Sequence, residues 1–187
     1  TILTTCARDH ITWKNEYPAG RSALEGLRVL RFPVARQRSL HRFRDISEIA
    51  FSGDATEAEQ VEWFRENGPD APELVRYLGT HGREYDRVLF WAFRYAETYF
   101  GLPPVADRAI LVPTAEDDPL IRLSVLDAFF SLPAGFIFLT PEEQTMIERH
   151  LSGPLPPSCV VGSGLDRVDL HADVRVETLG LEKPFIL

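Results

Sequence analysis

The chain has 187 residues, with 28 acidic and 20 basic side chains and a formal net charge of −8 at pH 7. This length and an apolar content of 44% are typical of one domain with a sizeable core. The negative charge argues against general nucleic-acid binding, which depends on clustered Lys and Arg. No apolar stretch reaches the roughly 18 residues that a membrane-spanning helix needs.

Six short apolar runs predict β-strands at residues 2–7, 27–34, 87–92, 109–114, 136–140 and 159–165. Helical or loop segments separate them, so we expect the α/β fold class, with a mostly parallel, Rossmann-like sheet joined by crossover connections. Runs such as Val88–Trp91 are apolar at every position, which predicts helices on both faces of the sheet. Cys6 and Cys159 lie in such runs and are expected to be buried free thiols.

Two later segments have clear helical patterns. Between residues 120 and 130, the apolar residues form one stripe at helical spacing: Ile121, Val125, Leu126, Phe129 and Phe130. The second predicted helix covers residues 141–151, with Thr140 as N-cap, Pro141 at the first position and Glu143 closing a capping box. The acidic segment from 47 to 73 also has apolar residues at helical spacing.

The segment between the second and third runs divides into a basic and an acidic part. From Arg21 to Arg44 there are seven arginines and one acidic residue, whereas residues 47–73 carry eight acidic residues and Arg65 as the single basic one. The basic tract predicts contact with an anionic acceptor or an anionic membrane surface. Alternatively, its arginines pair with the acidic segment.

Polar residues and glycines come after several predicted strands, at the sheet edge where open α/β sheets bind ligands. Candidate catalytic residues there are Glu116 and Asp117, and candidate substrate-binding residues are Arg8, His10, Thr114, Gly162 and Gly164. The stretch VVGSGLD is not a dinucleotide fingerprint, because Arg167 stands where the third glycine is required. Its two glycines still permit close approach of a ligand or a second domain.

Three adjacent carboxylates, Glu116, Asp117 and Asp118, come after the fourth run and allow three interpretations. Asp-Asp-Pro is ordinary turn chemistry and needs no function. Carboxylate oxygens are also the ligands that Mg²⁺ or Mn²⁺ prefers. As one wall of an active site, a carboxylate would accept hydrogen bonds from substrate hydroxyls or act as a base.

Six stretches in register resemble the amino-terminal half of a group 1, or family 4, glycosyltransferase, and they cover nearly the whole chain. They are TILTTCARDHITWKNEYPAG, LRVLRFPVARQR, EYDRVLFWAFRYAETYFGLP, AILVPTAEDDP, FIFLTPEEQTMIERH and VVGSGLD. The resemblance implies the GT-B architecture, in which two Rossmann-like domains face each other across a cleft. It also implies transfer of a sugar from a nucleotide sugar to a carbohydrate or lipid-linked acceptor, with retention of configuration and no metal or other cofactor.

By this resemblance, residues 1–180 are the acceptor-side domain, and residues 181–187, LEKPFIL, lead into a donor-binding domain beyond Leu187. The family's first strand would precede Thr1, at the centre of the sheet. The chain is therefore expected to be a piece of a longer cytoplasmic enzyme, able to associate with a membrane, and to be inactive alone. Relatives often have histidine where this chain has Glu116. An ionised glutamate can only accept hydrogen bonds, so its role is not transferred from the family.

Two rival functions stay open at this point. In the first, Glu116, Asp117 and Asp118 hold Mn²⁺ in a metal-dependent transferase. In the second, the chain is a non-catalytic module that binds a sugar or a protein, and the departure at Glu116 marks lost chemistry.

Overall fold

Two β-sheets form the framework of the computed structural model, which describes residues 1–164. The first has the order β1-β3-β2, with β1 at Ile2–Thr5, β2 at Gly20–Leu24 and β3 at Leu27–Phe32. The second has the order β4-β5-β6-β7, with strands at Val88–Trp91, Ala109–Val112, Gly135–Phe138 and Ser158–Val160. All pairs in the second sheet are parallel, as are β1 and β3. A strand overlaps each of the six predicted runs, although β6 and β7 begin one residue earlier than predicted, and the α/β fold class is confirmed.

Strand β2 is the one described strand that the apolar runs do not predict. It pairs antiparallel with β3 through a two-residue turn in which Glu25 has φ +50° and Gly26 has φ +79°. Two successive positive φ angles are typical of a type I′ hairpin turn. Glu-Gly is a weaker signal for this turn than Asn-Gly or Asp-Gly, and for that reason the sequence does not predict the hairpin.

Within residues 1–164, six α-helices connect or cover the strands: α1 (Leu40–Ala50), α2 (Glu57–Asn67), α3 (Pro72–His81), α4 (Ala96–Gly101), α5 (Val125–Phe130) and α6 (Pro141–Glu148). Short 3₁₀ turns lie at Gly82–Glu84, Pro103–Arg108 and Pro119–Arg122. The prediction of one continuous helix over 120–130 is wrong. Leu123, with φ −68° and ψ +127°, has extended backbone and separates the last 3₁₀ turn from α5. The apolar stripe persists because residues of both segments face the core.

The helices described pack against one face of the second sheet. Phe90, Leu111 and Phe136 are register neighbours on that face and belong to the main hydrophobic core. On the opposite face, Leu89 and Trp91 are 64% and 65% exposed. The steps from β4 to β7 all advance in one direction, and right-handed crossovers then place their helices on the same side. The sequence predicts helices on both faces, but within residues 1–164 the face of Leu89 and Trp91 is open.

The two cysteines differ in burial. Both are free thiols, as predicted, and Cys6 is buried at 2% exposure, but Cys159 is exposed. The prediction that both are buried is therefore wrong for Cys159, because β7 is the last strand of the described sheet and its residues are exposed. The predicted domain boundary between residues 180 and 181, the stretch LEKPFIL and Arg167 lie outside the described residues.

Two arginines of the basic tract pair with the acidic segment. Glu66 Oε1, in α2, lies 2.8 Å from Arg36 Nη2 and 2.9 Å from Arg42 Nη2, close in distance although not aligned as hydrogen bonds. Because the Glu66 side chain is only 5% exposed, these cations compensate a carboxylate that would otherwise be buried alone. The pairing interpretation is confirmed for Arg36 and Arg42. Contact of the tract with an anionic acceptor or membrane stays a prediction.

Candidate functional site

The carboxyl ends of the four parallel strands of the second sheet meet at one edge. Two non-glycine residues at this edge have left-handed backbone, Ala92 after β4 with φ +62° and Thr114 after β5 with φ +51°. Hydrogen bonds from Ala92 N to Val112 O (2.9 Å) and from Phe93 N to Pro113 O (3.1 Å) extend the pairing of these strands into the loops. Such strained positions persist only where the surroundings fix them, and they are frequent at binding sites.

Arg94 lies in the loop after β4 and joins it to the loop after β5. Its Nη2 donates a 2.9 Å hydrogen bond to Asp118 Oδ2 and lies 3.9 Å from Glu116 Oε2. The other oxygen of Asp118 accepts from the backbone N–H groups of Leu120 (2.9 Å) and Ile121 (3.3 Å). Asp118 therefore caps the 3₁₀ turn at Pro119–Arg122, and its role is structural, as the turn interpretation predicts.

The other two carboxylates of the cluster face solvent. The Glu116 side chain is 78% exposed, and its nearest cation is Arg94. Asp117 is 76% exposed and pairs with Arg122 at 3.0 Å. The repulsion between the three adjacent negative charges is thus reduced, since Asp118 pairs with Arg94, Asp117 pairs with Arg122, and Glu116 is largely exposed to water. Glu116 and Asp117 keep free oxygen lone pairs at the carboxyl edge of the sheet, and their catalytic role stays a prediction.

A buried carboxylate holds the backbone just before Glu116. Glu143, in the first turn of α6, is 4% exposed and accepts hydrogen bonds from Ala115 N and Leu139 N, both at 2.7 Å. Thr140 caps the helix by accepting from Glu143 N, as predicted. The predicted capping box is wrong in its second half, because the Glu143 carboxylate bonds to residues 115 and 139 rather than to Thr140 N. This arrangement ties the loop after β5 to the end of β6.

The loop after β1 is organised by the carboxylate of Asp9, which lies between the predicted binding residues Arg8 and His10. Asp9 Oδ1 accepts from Ile11 N (2.9 Å) and Thr12 N (2.7 Å), and Oδ2 accepts from the Thr12 hydroxyl (2.7 Å). These hydrogen bonds, of which those from Thr12 contribute most, hold the pKa of Asp9 below its usual range. The predicted binding residues Arg8 and His10 flank it, both exposed, and Arg8 lies 3.6 Å from Glu16.

Arg38 connects the β1 loop to α2. Its Nη1 donates to His10 O (3.0 Å), and Nε donates to Asn67 O (2.9 Å). The guanidinium lies over the rings of Phe43, 4.5 Å from its centroid, and Trp13, 5.4 Å from its centroid. Burial lowers the pKa of Arg38 from its ordinary value. Arg38 therefore fixes the conformation of the loop after β1. The sequence marks it only as one of the seven arginines between Arg21 and Arg44.

Asn67 links the loop after β1, in the first sheet, to the loop after β4, in the second. It receives the bonds of Arg38 through its oxygen atoms, and its Nδ2 donates 2.7 Å to Arg94 O. Trp13 Nε1 also donates to Asn67 O (2.7 Å), and the Trp13 ring packs edge-on against Tyr95 at 5.8 Å between centroids. A chain of contacts therefore runs from the β1 loop through Asn67 to Arg94 and the carboxylates after β5. No sequence motif marks these residues, because their partners are 27 or more positions away.

The predicted glycines come after β7 at the same edge. Gly162 has φ +77°, a conformation that side chains other than glycine rarely adopt, whereas a Cβ at that position would lie 4.0 Å from Leu139 O, an ordinary contact. Glycine is therefore needed here for backbone conformation rather than for space. At Gly164 nothing lies within 4 Å of an added Cβ. Close approach of a ligand at these two glycines stays a prediction.

The structure thus brings Thr114, Glu116 and Asp117 together on one loop, with Gly162 at the same sheet edge and the Arg8–His10 loop joined through Asn67. Within residues 1–164, no group of three or more His, Cys, Asp and Glu side chains is placed to hold a metal ion. Among the same residues, no helix combines the length and apolar character needed to cross a membrane. Comparison of the chain with known protein families, curated proteins and solved structures gave no match.

Proposed function

We propose that this chain is the acceptor-side domain of a glycosyltransferase with GT-B architecture, which transfers a sugar from a nucleotide sugar to a carbohydrate or lipid-linked acceptor. The observation that carries the proposal lies at the carboxyl ends of β1 in the first sheet and of β4 and β5 in the second, where the loops after these strands are joined through Asn67 and Arg94. Open α/β sheets bind ligands at this edge. The six stretches that resemble family 4 glycosyltransferases supply the reaction class.

Sugar hydroxyls are the groups that this edge is suited to bind. An ionised carboxylate accepts hydrogen bonds, and a sugar presents several hydroxyl donors. Glu116 is exposed and lies 3.9 Å from Arg94. Arg94 interacts with the negative charge of Glu116, and the Glu116 oxygens can still accept hydrogen bonds from a substrate. Asp117, next to it, is equally exposed. In this proposal Glu116 is the main contact to substrate, and Asp117 is a second one.

The donor side of the proposal rests on the resemblance alone. A second domain holds the nucleotide, and its cationic and backbone donors stabilise the leaving diphosphate. Transfer retains the anomeric configuration and uses no metal or other cofactor. The enzyme acts in the cytoplasm, with membrane contact through the tract from Arg21 to Arg44 when the acceptor is lipid-linked.

Substitution of Glu116 tests the site in the full-length protein. Glu116→Gln keeps the size but removes the charge, and hydrogen bonds to charged groups contribute roughly 1.5–3 kcal/mol. We therefore expect kcat/KM for transfer to fall about tenfold or more, with unchanged unfolding. Glu142→Gln is the matched control, since Glu142 is an exposed glutamate in the first turn of α6. Equal kcat/KM values for the two variants would show that Glu116 does not contact the substrate.

Transferase activity in the presence of a chelator distinguishes this proposal from the metal-dependent alternative. A transferase that holds Mn²⁺ on Glu116, Asp117 and Asp118 loses activity in EDTA, whereas the proposed enzyme keeps it. In the described residues, Glu116 and Asp118 lie near Arg94, and Asp117 pairs with Arg122, so each carboxylate already has a cation nearby. Asp118 also caps a 3₁₀ turn. A protein that binds sugar without any turnover would support the non-catalytic module instead.

A further inference from the structure

Asn67 is the last residue of α2, and its side chain lies between loops of the two sheets. The residue is only 5% exposed. Its side-chain oxygen accepts a hydrogen bond from Arg38 Nη2, and its Nδ2 donates one of 2.7 Å to Arg94 O. Arg38 lies in the loop after β3, whereas Arg94 lies in the loop after β4. One buried side chain therefore connects the first sheet to the second.

The partners of Asn67 require an amide at this position. Arg38 can only donate hydrogen bonds and a backbone carbonyl can only accept them, so the group between them must do both. Asparagine has an acceptor and a donor on one short, uncharged side chain. The partners also fix the orientation of the amide, with its oxygen toward Arg38 and its nitrogen toward Arg94 O. Aspartate has the same shape but, when ionised, no donor.

The backbone at the end of α2 holds the loop after β1 at the same place. Asn67 O accepts from Trp13 Nε1 (2.7 Å) and from Arg38 Nε (2.9 Å). It is one of the last carbonyls of the helix, which have no partner within the helix itself. The next residue, Gly68, packs so closely on the Trp13 ring that an added Cβ would lie 2.8 Å from it. The loop after β1 is therefore fixed relative to α2.

Arg94 connects Asn67 to the proposed substrate contact. The backbone oxygen of Arg94 accepts from Asn67, while its Nη2 donates 2.9 Å to Asp118 Oδ2 and lies 3.9 Å from Glu116 Oε2. The Arg94 side chain is 32% exposed, so water screens its charge only in part. A shift of the Arg94 backbone would move the cation that both carboxylates face.

We propose that Asn67 is a positioning residue of the site, which acts through Arg94 and keeps the loop of Glu116 aligned with the loop after β1. This inference rests on the proposed function, because it takes Glu116 as a contact to substrate. It adds that substrate binding depends on the relative position of two loops, since Arg8 and His10 lie on one and Glu116 lies on the other.

Asn67→Asp in the full-length protein tests this role, because it keeps an acceptor for Arg38 but removes the donor to Arg94 O. We expect kcat/KM for transfer to fall about fivefold or more, as for the loss of one hydrogen bond. In a Glu116→Gln background the same substitution should lower kcat/KM by less than about twofold, because the contact that Asn67 positions is already changed. A residue that only stabilises the fold lowers kcat/KM equally in both backgrounds, and that result would overturn the proposal.

Asn15→Asp is the matched control. The Asn15 amide also connects two loops, since its Nδ2 donates 2.9 Å to Val34 O and its oxygen accepts 2.9 Å from Val34 N, but these bonds do not involve Arg94. We expect its effect on kcat/KM to be the same with and without Glu116→Gln. Asn67→Ser is a second test variant, which introduces no charge and has too short a side chain to reach Arg94 O. Circular dichroism verifies that each variant is folded.

Hydrogen exchange separates a failure of this inference from a failure of the proposed function, because it requires no turnover. The backbone N–H groups of Leu120 and Ile121 donate to Asp118 Oδ1. We expect these two amides to exchange at least about fivefold faster in Asn67→Asp than in Asn15→Asp, since Asp118 loses a fixed partner. If the wild type shows no turnover, the proposed function fails, and exchange alone decides whether Asn67 positions the loop. Equal exchange in the two variants would overturn the inference.

Discussion

At the scale of single residues, buried and half-buried side chains fix the loop that carries the two proposed catalytic carboxylates. Arg94 holds Asp118 at 2.9 Å from one side, and Glu143 accepts from Ala115 N at 2.7 Å from the other. Glu116, between these two anchors, has its backbone position determined while its side chain stays exposed. Contacts of this kind orient a site without touching a ligand.

Replacing Glu143 should destabilise the protein, because its carboxylate accepts hydrogen bonds from two backbone N–H groups. Glu143→Gln leaves one oxygen for two N–H groups and places an amide donor against one of them. We expect a loss of about 1–3 kcal/mol in the free energy of unfolding, the cost of an unsatisfied buried donor. Glu142→Gln, one position earlier and exposed, should change it by less than about 0.5 kcal/mol. Urea denaturation measures both, and equal losses would contradict this role of Glu143.

Glu97, in the first turn of α4, predicts a pH dependence of stability, because its buried Oε2 accepts no hydrogen bond from any group within residues 1–164. Burial raises the pKa of Glu97 to about 7, above the ordinary value of 4.5. A raised pKa means that its stabilising contribution is full below pH 4.5 and is lost as the pH rises through about 7. The free energy of unfolding of Glu97→Gln should therefore equal that of the wild type at about pH 4 and exceed it at about pH 8 by roughly 3 kcal/mol.

Urea unfolding of residues 1–187 at the two pH values measures this difference. A variant that is less stable than the wild type at the higher pH would show that the Glu97 carboxylate is ionised and satisfied by donors. Such a result would contradict this role of Glu97.

Sequence patterns locate the site loop but not the residues that fix it. Glu116 and Asp117 come directly after an apolar run, and this alone places them at the carboxyl edge of a parallel sheet. Arg94 and Glu143 act on partners 24 and 28 positions away, so their roles depend on the folded arrangement of β4, β5 and α6. The capping pattern predicts a bond from Glu143 to its own helix, and the tertiary partner Ala115 replaces it.

At the scale of elements, strands that overlap runs of apolar residues are predictable from the sequence, and a strand outside such runs is not. Strand β2, Gly20–Leu24, is exposed at every residue, so no burial pattern marks it. The stripe over residues 120–130 predicts one helix because both of its segments bury apolar residues, Leu120 and Ile121 before the break and Leu126 after it. The spacing of apolar residues indicates which of them face the core, but it does not indicate where the backbone between them changes from helical to extended conformation.

The β2–β3 hairpin predicts a specific cost for one glycine. Gly26 has φ +79° in the turn, and alanine in that conformation is strained. We expect Gly26→Ala to lower the free energy of unfolding by about 1 kcal/mol. Gly153 is a matched control, because an added Cβ there also meets nothing within 4 Å but its φ is not in the left-handed region. Equal stabilities of the two variants in thermal unfolding would contradict the type I′ turn.

At the scale of the whole molecule, the strands of residues 1–164 form two sheets rather than one. In this part of the chain, β1 is an edge strand of the first sheet and β4 is an edge strand of the second. That the strands belong to the domain of a larger transferase stays a prediction. The reaction class does not follow from the fold, since the same sheet supports many chemistries.

Turnover of a nucleotide sugar by the full-length protein is the measurement that tests the proposed function most directly. The protein is incubated with a panel of nucleotide sugars in EDTA, with carbohydrate and lipid-linked acceptors, and free nucleotide and glycosylated product are quantified. We expect release of nucleotide from one donor, matched by product and unaffected by chelator. Absence of turnover across the panel, with no thermal shift from any nucleotide, would contradict a glycosyltransferase and favour a non-catalytic binding module.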